Sequence, residues 1–100
     1  MSERYRAAII GTGGIAKTHA NYYLTADRTE LVAGCDICEE RLNAFCDERA
    51  IEDRYTDYRQ MLAEVQPDIV SICTWNGTHM PIAIAAIEAD VKAVVSEKPM

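Results

Sequence analysis

The sequence predicts an α/β domain: an open, doubly wound parallel sheet. Three observations predict it. Short apolar runs alternate with helical patterns along the whole chain. The runs are continuously apolar, as expected of strands covered on both faces. No internal repeat, low-complexity tract or linker interrupts the alternation. Strands with a helix between them run parallel and need crossovers. The expected strand order is 3-2-1-4-5.

Each element has a local reason. Ala7-Ala8-Ile9-Ile10 reads as a buried strand ending at Gly11. From Ile15 to Leu24, the residues Ile15, Ala16, His19, Tyr22 and Tyr23 stand close to helical spacing. Tyr22 and Tyr23 read as packing residues of that helix, and His19 as structural. Glu30–Cys35 is the second strand, with Asp36 at its end. Glu39–Arg49 places Leu42, Phe45 and Cys46 on one helical stripe. Ile51–Tyr55 is a weak third strand. Asp57 is placed to cap a helix carrying Tyr58, Met61, Leu62 and Val65, which Pro67 stops. Asp68–Cys73 is a strong fourth strand, Met80–Ala89 an alanine-rich helix, and Lys92–Glu97 the fifth strand.

One hundred residues make one domain, with enough chain to bury a core without staples. The hydrophobic fraction of 49% and charged fraction of 26% are those of a globular domain and exclude disorder. Ten basic against sixteen acidic residues give a net charge of −6. Such a surface repels phosphate backbones, so no nucleic-acid partner is expected. It does not exclude a nucleotide held by backbone N–H groups. No apolar run is long enough for a membrane span, and no export signal is read at the N-terminus. A cytoplasmic protein is expected. Cys35 and Cys38 form a C-x-x-C, but Cys46 and Cys73 supply no second pair, and His19 and His79 lack finger spacing. Reduced cysteines are therefore expected, and no metal site.

Gly11-Thr12-Gly13-Gly14-Ile15-Ala16 matches G-x-G-x-x-G/A between a strand and a helix. Gly11 permits the tight turn, Gly13 lets backbone approach a pyrophosphate, and Ala16 lets the helix sit close to the strand. The helix N-terminus then presents N–H groups to the phosphates. Asp36 follows Ala16 by twenty residues, at the end of the second strand. A carboxylate there accepts hydrogen bonds from the adenosine ribose hydroxyls and repels an extra 2′-phosphate. NAD is the expected cofactor, with Arg41 leaving some tolerance for NADP.

The glycine loop, Asp36, the turn Thr74-Trp75-Asn76-Gly77-Thr78-His79 and the ending Glu97-Lys98-Pro99 together resemble the Gfo/Idh/MocA oxidoreductases. The resemblance covers essentially the whole chain. T-x-N-x-x-H and E-K-P are its specific parts; the glycine loop is shared by many dehydrogenases. It implies a Rossmann-like fold and NAD- or NADP-dependent hydride transfer on sugars, cyclitols and related polyols. It also implies that Thr74, Asn76 and His79 line the nicotinamide side, and that Glu97 and Lys98 meet the nicotinamide ribose and the substrate. Lys98 is then the catalytic residue, assisting proton transfer at the reacting hydroxyl. Trp75 departs from the family's frequent proline; it either stacks near the cofactor or caps the sheet edge.

Lys98 has a chemical case of its own. It follows a strand's carboxyl end, where open α/β sheets bind ligands, and a partly desolvated lysine there serves as general acid or base. Pro99 fixes the backbone beyond it, with a cis bond as one option.

The resemblance further implies a sixth strand and a C-terminal domain that holds the substrate and supports a homo-oligomer. Neither is in this sequence. Residues 1–100 are therefore read as an incomplete dinucleotide-binding domain, inactive alone, whose parent is a dehydrogenase. The alternatives are a non-catalytic dinucleotide-binding or regulatory module and, against the two specific motifs, a binder of another nucleotide such as S-adenosylmethionine.

Overall fold

The computed structural model describes residues 5–12, 14–26, 28–73 and 76–96. Nine elements alternate among them. They are β1 (Tyr5–Ile10), α1 (Gly14–Thr25), β2 (Thr29–Cys35), α2 (Glu39–Arg49), β3 (Asp53–Tyr55), α3 (Tyr58–Val65), β4 (Ile69–Ile72), α4 (Asn76–Glu88) and β5 (Ala93–Ser96). The strands form one parallel sheet in the order β3-β2-β1-β4-β5, as the alternation predicts.

Strand β1 shows why the sheet is covered twice. Successive side chains of a strand point to opposite faces. Ala7 and Ile9 are buried with Ala16, Ala20 and Tyr23 of α1 and Leu42, Phe45 and Cys46 of α2. Ala8 and Ile10 are buried on the other face with Met61, Leu62 and Val65 of α3 and Ile82 and Ala86 of α4. Each large aliphatic side chain so buried contributes about 1.5–3 kcal/mol relative to exposure. At Gly34 a Cβ would lie 3.0 Å from the Cys46 sulfur, so glycine lets α2 settle close onto β2.

Several boundaries differ from the sequence expectation. β1 starts earlier, at Tyr5. β3 and β4 are trimmed to Asp53–Tyr55 and Ile69–Ile72. α4 begins at Asn76 rather than Met80 and carries Pro81 inside it. Tyr22 is corrected: it is 66% exposed and not a core residue, whereas Tyr23 is buried. Adjacent helical residues diverge by about 100°, so one of the two faces outward. Tyr23 hydrogen-bonds through its hydroxyl to the buried Ser71 of β4, tying α1 to the sheet centre. Asp57 caps α3 as expected, accepting from the Arg59 N–H at 2.9 Å. Helices α2 and α3 end on Ala50 and Gln66, and Asp90 follows α4; all three take left-handed φ values of 51–64° without being glycine.

The strand carboxyl ends are level. Ile10 pairs with Cys35 and with Ile72, and Ile72 pairs with Ser96. The register thus brings Gly11, Asp36 and Cys73 to one edge of the sheet.

Candidate functional site

The backbone leaves β1 at Gly11 with φ 93°, in the left-handed region where a side chain is strained. Its N–H donates to the Cys35 carbonyl at 2.7 Å, which seals the turn against the end of β2. Thr12 follows, buried. α1 opens at Gly14, and its first turn carries no acidic residue. Ala16 is fully buried against β1, the close approach expected of a small residue there. Gly13 lies outside the described residues.

Asp36 is the centre of this edge. It is only 4% exposed, yet charged and fully hydrogen-bonded. The Thr12 N–H and hydroxyl donate to Oδ2 at 2.8 and 2.7 Å. The Cys38 N–H donates to Oδ1 at 2.8 Å. Arg41 completes the set with two parallel bonds of 2.9 Å, Nε to Oδ2 and Nη2 to Oδ1. Burial alone raises the Asp36 carboxyl; the hydrogen bonds from Arg41, Cys38 and Thr12 outweigh it and hold the group well below the usual carboxylate range. The carboxylate is a fixed acceptor joining the glycine turn to β2.

Beside it stands a residue that the sequence reading passed over. Ile37 is 90% exposed directly after Asp36. Its signal was present: a large aliphatic side chain in the turn after the acid, with no core stripe to join.

The remaining expected residues divide by position. Asn76 and His79 fall in the first turns of α4, whose backbone follows β4. Thr74, Trp75, Glu97, Lys98 and Pro99 lie outside the described residues. His19 is buried in α1. Cys35, Cys38 and Cys46 are free thiols; Cys35 and Cys46 are buried and Cys38 is exposed. Burial, with the charges of Asp36 and Asp57, pushes the Cys35 thiol up to about 12, so it stays protonated. Among the described residues no cluster of three or more histidines, cysteines or acids has metal-ligand placement. None of their helices is long and apolar enough to cross a membrane. A concavity of about 770 Å³ lies at the opposite edge, near Pro67, Asp68 and Asp90, away from the glycine turn.

Comparison with known proteins places this arrangement. Residues 5–100 match the oxidoreductase family with NAD-binding Rossmann fold, Gfo/Idh/MocA. A D-glucoside 3-dehydrogenase of Escherichia coli is 39% identical over 99 residues, 98% of this chain and 28% of its own length. An inositol 2-dehydrogenase of Salmonella typhimurium is 36% identical over 97 residues, covering 95% and 29%. The solved WlbA dehydrogenase of Bordetella pertussis, in complex with NADH and UDP-GlcNAcA, superposes with a TM-score of 0.89 at 33% identity, covering 98% and 30%. Scyllo-inositol dehydrogenase of Lactobacillus casei with bound NAD(H) and scyllo-inositol gives 0.87 at 28% identity, covering 97% and 28%. The chain therefore spans less than a third of the length of these relatives. With the glycine turn, the buried carboxylate at the end of β2 and the five-stranded order all agreeing, the chain belongs to the Gfo/Idh/MocA oxidoreductase family, of which it carries the NAD-binding Rossmann fold.

Proposed function

We propose that residues 1–100 form one dinucleotide-binding domain, and that it holds NAD for a dehydrogenase acting on a sugar, cyclitol or related polyol. One observation carries the reading. The carboxylate of Asp36 is held at the carboxyl edge of the sheet by Thr12, a residue of the glycine turn. The residues fit the group: a glycine at φ 93° opens the turn, and no acid in the first turn of α1 repels a phosphate.

In this reading Gly11, Thr12, Gly13, Gly14, Ile15 and Ala16 receive the pyrophosphate, and Asp36 accepts from the adenosine ribose. Ile37 offers an apolar face to the base. Thr74, Trp75, Asn76 and His79 border the nicotinamide side, and Glu97 and Lys98 its ribose and the substrate. Bound NAD supplies the hydride acceptor. Lys98 takes or returns the proton of the substrate hydroxyl. The names of the relatives support the polyol class, since they are glucoside and inositol dehydrogenases.

The same reading extends to a cytoplasmic homo-oligomer that binds neither nucleic acid nor membrane. The net charge of −6 and the free thiols of Cys35, Cys38 and Cys46 support parts of it. A non-catalytic dinucleotide module is the competing reading; the dehydrogenase names of the relatives count against it.

Isothermal titration tests the binding part. The chain should bind NAD more tightly than NADP, and Gly13→Val should abolish NAD binding while leaving the circular dichroism unchanged. NAD binding by Gly13→Val at wild-type strength overturns the placement of the phosphates.

A further inference from the structure

Five hydrogen bonds converge on the Asp36 carboxylate, three on Oδ2 and two on Oδ1. An ionised carboxyl group offers about four lone-pair positions. The group is therefore saturated, and a ribose hydroxyl finds no acceptor there while all five bonds stand. Three of the five come from groups that are hard to move. They are two backbone N–H groups and the hydroxyl of buried Thr12. The other two come from Arg41, whose side chain is 54% exposed and reaches back from the first turn of α2.

We propose that Arg41 competes with the cofactor for Asp36: its two-pronged bond must open before the adenosine ribose can bind, so the residue weakens NAD binding rather than supporting it. The inference rests on the NAD reading above. With Arg41 displaced, Asp36 retains three bonds, and Oδ1 keeps only the one from Cys38. That leaves room for a ribose hydroxyl. The displaced guanidinium stays tethered beside the ribose edge, where a 2′-phosphate would project. The nearby Arg54 is not a substitute, because its guanidinium is held by the Ile51 carbonyl, Asn43 and Asp47. One side chain thus acts in opposite directions on the two cofactors. It obstructs NAD through the carboxylate and offers a cation to NADP, which reduces discrimination between them.

The test is isothermal titration of the wild-type chain and Arg41→Gln with NAD and with NADP at low and high salt. Arg41→Gln should tighten NAD by roughly fivefold, the scale of a half-exposed ion pair, and weaken NADP. The NAD gain should shrink at high salt, because screening already loosens the pair in wild type. A simple surface pair predicts no change in either affinity, and a guanidinium that contacts NAD predicts weaker NAD binding; either result overturns the proposal. Should Arg41→Gln fail to fold, Arg41→Lys keeps the charge but loses the fork, and should show the same NAD gain at smaller size. Failure of wild type to bind NAD at all overturns the NAD reading as well. NAD binding with an unaltered NAD-to-NADP ratio in the variant overturns only the role of Arg41.

Discussion

Asp36 and Asp68 hold opposite ends of β1. At the carboxyl end, Asp36 accepts the Thr12 N–H; at the amino end, Asp68 accepts the Arg6 N–H through Oδ2 at 2.9 Å. Each meets a cation from another element. Asp36 is gripped by the fork of Arg41 and is 2% exposed in its side chain, whereas Asp68 meets Lys92 at 3.6 Å and is 27% exposed. Asp68 also organises backbone, since its carbonyl accepts from the N–H groups of Lys92 and Ala93 at the entry to β5. Nearby, Arg6 donates to the Val65 and Gln66 carbonyls and closes the end of α3. The same acid can be a loose pin or a desolvated, saturated acceptor. Water decides between them: at the amino end solvent shares the load, while at the carboxyl end every bond must come from protein.

The widest gap between the two should appear on deletion. Asp36→Ala strands the Thr12 N–H and hydroxyl in a buried place and removes the acceptor of the partly buried Cys38 N–H, so a loss of about 2–4 kcal/mol is expected by urea denaturation. Asp68→Ala should cost about 1 kcal/mol, because water can replace it. Equal losses would erase the distinction.

The next effect is in pH. The Asp36 carboxyl is held below its unfolded value, so its contribution is complete above about pH 4 and is lost as pH falls further toward the depressed folded value. A plot of unfolding free energy against pH should fall steeply below about pH 4 in wild type and less steeply in Asp36→Asn. Identical acid limbs would remove Asp36 as the source. The smallest effect belongs to Lys92→Met. An exposed pair at 3.6 Å should change stability by less than about 1 kcal/mol, and a larger loss would show that the amino-end pin is tighter than its geometry suggests.

Periodicity and punctuation made most of this fold legible. The strand order followed from continuous apolar runs, and Asp57 declared its helix by standing before a stripe of apolar residues. The position of Asp36 was legible because a glycine turn and an acid at a neighbouring strand end must meet when the two strands pair. What escaped was the direction in which side chains turn. Tyr22 and Tyr23 are alike in sequence, and only packing reveals which one reaches Ser71. Arg41 was visible as a cation near the acid, but its two-pronged hold depends on the turn through Ile37 and Cys38 that folds α2 back over Asp36. The start of α4 escaped because the segment from Thr74 to His79 reads as a turn, although the helix already begins at Asn76.

The positive φ angles of the described residues also divide between the two edges. At the carboxyl edge the left-handed position is Gly11, where the backbone turns sharply out of β1 and glycine carries no strain. At the helix ends on the other side they fall on Ala50, Gln66 and Asp90, each of which carries roughly 1 kcal/mol of conformational strain that glycine would not. The molecule therefore holds a reserve of improvable positions remote from its chemistry. A lineage or an engineer seeking heat resistance has three turns to relax before touching the glycine turn or Asp36.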